Sequence, residues 1–338
     1  MKPFFLTLAI FVFIGSLTFS SISLAKEDEW TKKTDMPTAR LWAGACAIDN
    51  IIYVIGGTPN GGFALLSLVE AYDPKTDTWA KKANMPLSLV CPTASAVNGI
   101  IYTFGGFGAG WESSVLAYDP KTDKWTEKTD MPTARGGAIS CVVDNIIYVI
   151  GGIKGNDGST PLSLVEAYDP KTDTWAKKAD MPLALGSVAA DAVDGIIYTF
   201  GDGYMGGCPA QPFAFAYDPK TDKWTRKADI PTPRCWATAC AVNGVIYVIG
   251  GRENLSAVEA YNPATDTYTK KTDMPTAREC SPGCAVNGRI YVFGGALPGG
   301  NIVGMATAEE YDTGFIPPKS VNSTGKLSTT WGKMKSGK

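Results

Sequence analysis

The chain has 338 residues, 45% of them hydrophobic and 19% charged, with 37 Gly, 9 Trp and no His. That length and apolar share can build a real core, so wholesale disorder is excluded, and the lack of His removes triad, Cys-His and imidazole-metal chemistry. Residues 26–312 carry 25 basic against 33 acidic groups, a sign that repels phosphate backbones and argues against a nucleic-acid partner.

In chain order, residues 1–25 read as a secretory signal. Lys2 starts it, an uncharged apolar run from Phe4 to Leu17 follows, and Ser23-Leu24-Ala25 offers small residues for cleavage. The alternative is an uncleaved anchor, since Phe4 to Ala25 is just long enough to span a bilayer. No later stretch could cross a membrane. With the signal removed, the expectation is an exported protein: periplasmic, cell-surface or secreted.

From residue 26 to 313 the chain repeats itself. A Gly pair closes an apolar run at Gly56, Gly105, Gly151, Gly250 and Gly294, with Gly201-Asp202 as an imperfect copy, at spacings of 49, 46, 50, 49 and 44. The runs, such as IIYVIGG, are rich in β-branched and aromatic residues, as strands are. Tyr-Asp-Pro turns follow at Tyr72, Tyr118, Tyr168 and Tyr217, with variants at Tyr261 and Tyr311. Each unit therefore holds four short strands: a is rich in Ala and Cys, b ends in Gly-Gly, c ends in Tyr-Asp, and d carries Trp. Four-stranded units of this length are propeller blades. Trp79, Trp125, Trp175, Trp224 and Tyr268 each precede the next unit's Met or Ile by six residues. Trp30 does the same before Met36 with no blade ahead of it, while the last unit lacks a strand d. The N-terminal strand is therefore expected to complete blade 6, leaving no open edge.

Four units carry Arg four residues after their Met-Pro or Ile-Pro start, at Arg40, Arg135, Arg234 and Arg278, and the same four carry Glu70, Glu166, Glu259 and Glu309 in strand c. Units 2 and 4 replace both partners with the apolar pairs Leu89 and Leu116, and Leu185 and Phe215. This joint loss predicts an Arg–Glu ion pair inside each of four blades, since a buried guanidinium needs a partner that two apolar residues can replace. A ring of ligand-binding arginines is the rival reading. Six residues further on lie Cys46, Ser95, Cys141, Asp191, Cys240 and Cys284. Among small neighbours these read as side chains for the cramped inner strand rather than metal ligands. Neither a metal nor a cofactor is expected. Cys235 and Cys280 begin strand a in adjacent blades and are candidates for a disulfide.

The pattern resembles kelch repeats over residues 27–312. The resemblance implies an all-β, six-bladed propeller with four antiparallel strands per blade, and a ligand face built from the d–a and b–c loops. Trp42, Trp111, Tyr204, Trp236, Arg278 and Glu279 are the candidate ligand-binding residues there. The expected function is a binding or scaffold module for a protein or glycan. The alternative is a cofactor-free carbohydrate epimerase or mutarotase resembling the N-acetylneuraminate epimerases, with Arg278 and Glu279 as its charged pair. Residues 314–338 form a basic tail after Pro317-Pro318 and are expected to be flexible.

Overall fold

Strands b and c of every repeat bury four of their five residues, whereas strand d alternates exposed and half-buried positions. A sheet packed on both faces by neighbouring sheets, with one edge left to water, produces that gradient. The computed structural model describes residues 27–61, 64–154, 160–201, 210–252, 256–297 and 302–316, with two further short strands at Ser320–Val321 and Leu327–Ser328. Residues 1–25 lie outside the described residues, as does most of the tail. Among the described residues there is no helix.

Six four-stranded antiparallel sheets make the ring. Blade 1 runs Gly44–Ile48, Ile51–Ile55, Val69–Asp73 and Thr78–Lys82 as strands a to d, and blades 2 to 5 repeat that order. Blade 6 has a at Gly283–Val286, b at Arg289–Phe293 and c at Ala308–Asp312. Its strand d is the N-terminal Glu29–Lys33, paired so that Trp30 faces Tyr311. The ring is closed by both ends of the chain. Phe315 still packs beside the blade 5–6 core, so the propeller reaches a little past residue 313. The hydrophobic clusters lie between neighbouring blades; one joins Tyr53 and Ile55 to Leu116 and Tyr118.

Two repeated devices hold blade to blade. The Gly-Gly pair is the first. Gly106 N–H donates to the Arg135 carbonyl of the next blade at 3.0 Å. Gly105, at φ +55°, lies so close that an added Cβ would fall 2.2 Å from that same oxygen. No other residue fits there. The second is a Tyr–Asp–Trp staple. Tyr118 OH donates to Asp123 Oδ1 at 2.5 Å, Asp123 accepts the Ala83 N–H at 2.9 Å, and Trp125 Nε1 donates to the Ala83 carbonyl at 3.0 Å. One backbone residue of the preceding blade is thus gripped by both its polar groups. The motif recurs through Asp77 with Trp79, Asp173 with Trp175, Asp222 with Trp224, and Asp266 with Tyr268. At the closing blade Asp28 and Trp30 grip Thr272.

Candidate ligand site at the channel mouth

All six strands a stand around a central channel whose cavity is about 490 Å³, within the range of ordinary ligand sites. Inside, the walls are small side chains. Asp191 is the exception, enclosed by protein yet touching the channel. Its two oxygens accept the Ala192 and Ala241 backbone N–H groups, each at 2.7 Å. Burial holds its carboxyl above the usual range, with those two bonds pulling the other way. Cys46 is pushed up to about 12 by burial, and burial likewise raises Cys141, Cys240 and Cys284. These are inert thiols.

At the mouth the residue two after each buried Arg or Leu forms a rim: Trp42, Cys91, Gly137, Ser187, Trp236 and Cys280. Neighbouring rim residues join through the backbone. Cys91 N–H donates to the Trp42 carbonyl at 2.8 Å, and Gly137 to Cys91, Cys280 to Trp236 and Trp42 to Cys280, each at 3.1 Å. This chain of bonds needs a left-handed backbone, with φ of 53° at Trp42, 54° at Cys91, 63° at Gly137 and 57° at both Trp236 and Cys280. Gly adopts that conformation without strain, but a Trp there costs about 1 kcal/mol or more. The Trp42 and Trp236 rings sit 6.1 Å apart at 50°. The Trp42 side chain hydrogen-bonds the Cys280 thiol, while Ser187 Oγ and Glu279 Oε2 are buried with no hydrogen-bond partner.

Two family models match the sequence: the FKB95 kelch-repeats domain over residues 81–245, and the kelch motif over residues 40–86 and 233–275. The chain is a kelch-repeat β-propeller. Among solved structures, that of YjhT superposes on this kelch chain with a TM-score of 0.69 at 16% identity, covering 82% of this chain and 95% of that one. A likeness at that identity carries the fold alone. No curated protein matches the chain.

Within the kelch scaffold the four Arg–Glu pairs are internal to their blades. Arg278 Nη2 meets Glu309 Oε2 at 2.7 Å, and its other nitrogens reach the Thr276, Gly294 and Thr307 carbonyls. Arg234 with Glu259 and Arg135 with Glu166 also meet at 2.7 Å, and Arg40 pairs with Glu70. All four arginines have 0% exposure. Arg278 therefore cannot touch a ligand and is corrected from ligand-binding to structural. The expected charged pair of Arg278 with Glu279 does not form, because Arg278 turns inward to Glu309. Glu279 instead lies 3.8 Å from Arg252 Nε.

The other candidates separate. Trp42 and Trp236 come together at the channel mouth, whereas Glu279 is outside the channel lining and pairs with Arg252. Trp111 lies across the ring, over the start of blade 3, where a Cβ on Gly136 would come 2.7 Å from its ring. It also packs on Phe107 at 5.2 Å. Phe213, another loop aromatic, packs on the core beneath Arg226 rather than facing solvent. Tyr204 lies outside the described residues. The structure draws no bond between the Cys235 and Cys280 sulfurs. They stand one residue out of phase, and the Cys280 N–H is spent on Trp236, so the rim fixes their backbones independently of any bridge. Composition alone hides the rim signal: only the backbone shows that Trp occupies a position natural to Gly.

Proposed function

We propose that this kelch propeller is a binding module whose ligand, a protein segment or a glycan, is held at the channel mouth by Trp42 and Trp236. The observation that carries the reading is the left-handed backbone at both tryptophans. Blade 3 fills the same rim position with Gly137 at φ 63°, so the ring needs no side chain there. Keeping two large aromatics against that strain is accounted for by a use of the rings themselves. Tryptophan fluorescence titration against panels of glycans and peptides tests this. Trp42→Gly and Trp236→Gly should fold with an unchanged or higher Tm and bind at least about tenfold more weakly, as loss of a hot-spot aromatic does. A ligand that binds both variants as well as the parent overturns the reading.

Residues 1–25 act as an export signal in this reading, so the mature chain begins at Lys26. Buried, inert thiols suit an oxidising compartment because they present little thiolate. Intact-mass measurement of protein recovered outside the cytoplasm checks the new N-terminus.

A further inference from the structure

Asp191 is the only charged residue among the described residues that line the channel. The position it fills holds Cys46, Ser95, Cys141, Cys240 and Cys284 in the other five blades, so the ring closes without a carboxylate there. The residue is half-buried and lies four positions deeper along strand a than the rim residue Ser187. Two backbone N–H groups, Ala192 in its own blade and Ala241 in blade 5, hold its two oxygens at 2.7 Å each. The carboxylate is thus fixed in place before any ligand arrives. An ionised carboxylate has about four acceptor positions, and these bonds use two.

We propose that the channel seats a primary ammonium group, that of a small alkylamine, with the Asp191 carboxylate as its counter-charge. The seat lies below the mouth and goes beyond the reading of the mouth, since it uses neither tryptophan. The described lining supplies no positive charge. An anion is therefore repelled, and a neutral ligand leaves the carboxylate uncompensated; a cation supplies the partner that such a charge needs. A primary ammonium brings three donors. Strand a is the inner edge strand of every blade, and the unpaired carbonyls of such an edge face the channel, as the Ala241 N–H does, and offer the remaining acceptors. The methyl groups of Ala47, Ala96, Ala192, Ala241 and Ala285 leave room for a short alkyl chain. Burial is the first cause that raises Cys141, Cys240 and Cys284, and the Asp191 charge adds to it at all three. Its field thus reaches blades 3, 5 and 6 around the channel. The propeller body, acidic overall, draws cations toward it.

The test is titration of the full-length protein, isotope-labelled at its alanine nitrogens, with ethylammonium, ethanol and acetate. Calorimetry reads the affinity and NMR reads the amides. Ethylammonium should bind at least about tenfold more tightly than ethanol, the scale of a charge-assisted hydrogen bond over a neutral one, and acetate should not bind. The Ala192 and Ala241 amide resonances should move with ethylammonium and stay in place with ethanol. Asp191→Ser, which copies blade 2, should erase the preference, as should the near-isosteric Asp191→Asn. Thermal melts check that both variants fold; the amide shifts of the unaltered protein decide if either does not. Equal affinity for ethylammonium and ethanol, binding of acetate, unmoved Ala192 and Ala241 amides, or a preference that survives in a folded variant overturns the proposal. The two readings fail separately. A mouth that takes no glycan or peptide, with the ethylammonium shifts in place, refutes the mouth and upholds the seat. Ethylammonium binding that vanishes in Trp42→Gly lies at the mouth, which overturns the Asp191 assignment.

Discussion

Arg40 shows what a single residue is asked to do. Its guanidinium has 0% exposure and reaches the Gly56, Leu68 and Thr38 carbonyls as well as Glu70. Thr38 in turn donates to the other carboxylate oxygen of Glu70. Burial lowers the Arg40 pKa, and Glu70 pulls it back up. Removing one partner strands a buried charge, so Arg40→Ala should destabilise by about 3–5 kcal/mol. The double change Arg40→Leu with Glu70→Leu copies blade 2, where Leu89 and Leu116 are both buried in the core. It should stay within about 1.5 kcal/mol of the parent. Urea denaturation of the three proteins decides; equal losses in both variants would remove the pairing argument. The apolar pairs of blades 2 and 4, Leu89 with Leu116 and Leu185 with Phe215, do not explain everything about those blades. Thr199 Oγ1 in blade 4 is buried without a hydrogen-bond partner, and nothing in the structure accounts for it.

At the scale of the element, the Tyr–Asp–Trp staple ties strand to strand across each blade boundary. The hydrogen bond from Tyr118 is the main reason that Asp123 titrates below the usual carboxylate range, and Tyr168, Tyr217 and Tyr261 do the same for Asp173, Asp222 and Asp266. For Asp77 and Asp28, partial burial pushes upward, but the tyrosine and backbone bonds outweigh it. A carboxylate held below its unfolded value of about 3.9 stabilises the fold fully above that value and loses the contribution as pH falls through the folded one. The Tm should therefore be nearly flat from about pH 7 to 5 and drop steeply below about pH 4. Asp123→Asn should melt lower at neutral pH and show a shallower acid fall. Calorimetry across that range checks both signs; an acid profile unaltered by the substitution would assign acid lability to other groups.

The whole molecule depends on a closure made by six residues, 28–33. Glu29–Lys33 supplies an edge strand to blade 6, and Asp28 with Trp30 supplies the staple to blade 5. Blade 6 also carries charges the other blades lack. Glu310 occupies the position of Ala71, Ala117, Ala167, Ala216 and Ala260. It lies 3.1 Å from Lys33 Nζ and pairs with Arg289, which also meets Asp312 at 2.9 Å. Lys33 thereby ties the N-terminal strand to strand c, and Arg289 ties strand c to strand b. Deleting residues 27–33 would expose strand c of blade 6 as an open edge, a template for another chain. The shortened protein should melt lower and form concentration-dependent oligomers by size-exclusion chromatography with light scattering. A monomeric product with unchanged Tm would mean that the ring does not need its closing strand.

The architecture was legible from the primary structure because its causes are local and repeated. Six phased sets of Gly-Gly, Tyr-Asp and Trp report strand, turn and staple directly, and the orphan Trp30 locates the seam by spacing. Paired loss of Arg and Glu in units 2 and 4 reveals a contact between residues about 30 apart, since copies of one blade act as substitution experiments on each other. The site was only half visible. Trp42, Trp236 and Glu279 could be named as loop residues, but Arg278 stood beside Glu279 with no sign that it turns inward. Trp111 gave no sign that it lies on Gly136. Such directions are set by which neighbouring blade and which loop each side chain meets. The left-handed backbone that the tryptophans share with Cys91, Gly137 and Cys280 accompanies hydrogen bonds between blades distant in the chain. Only the closed ring brings those partners together.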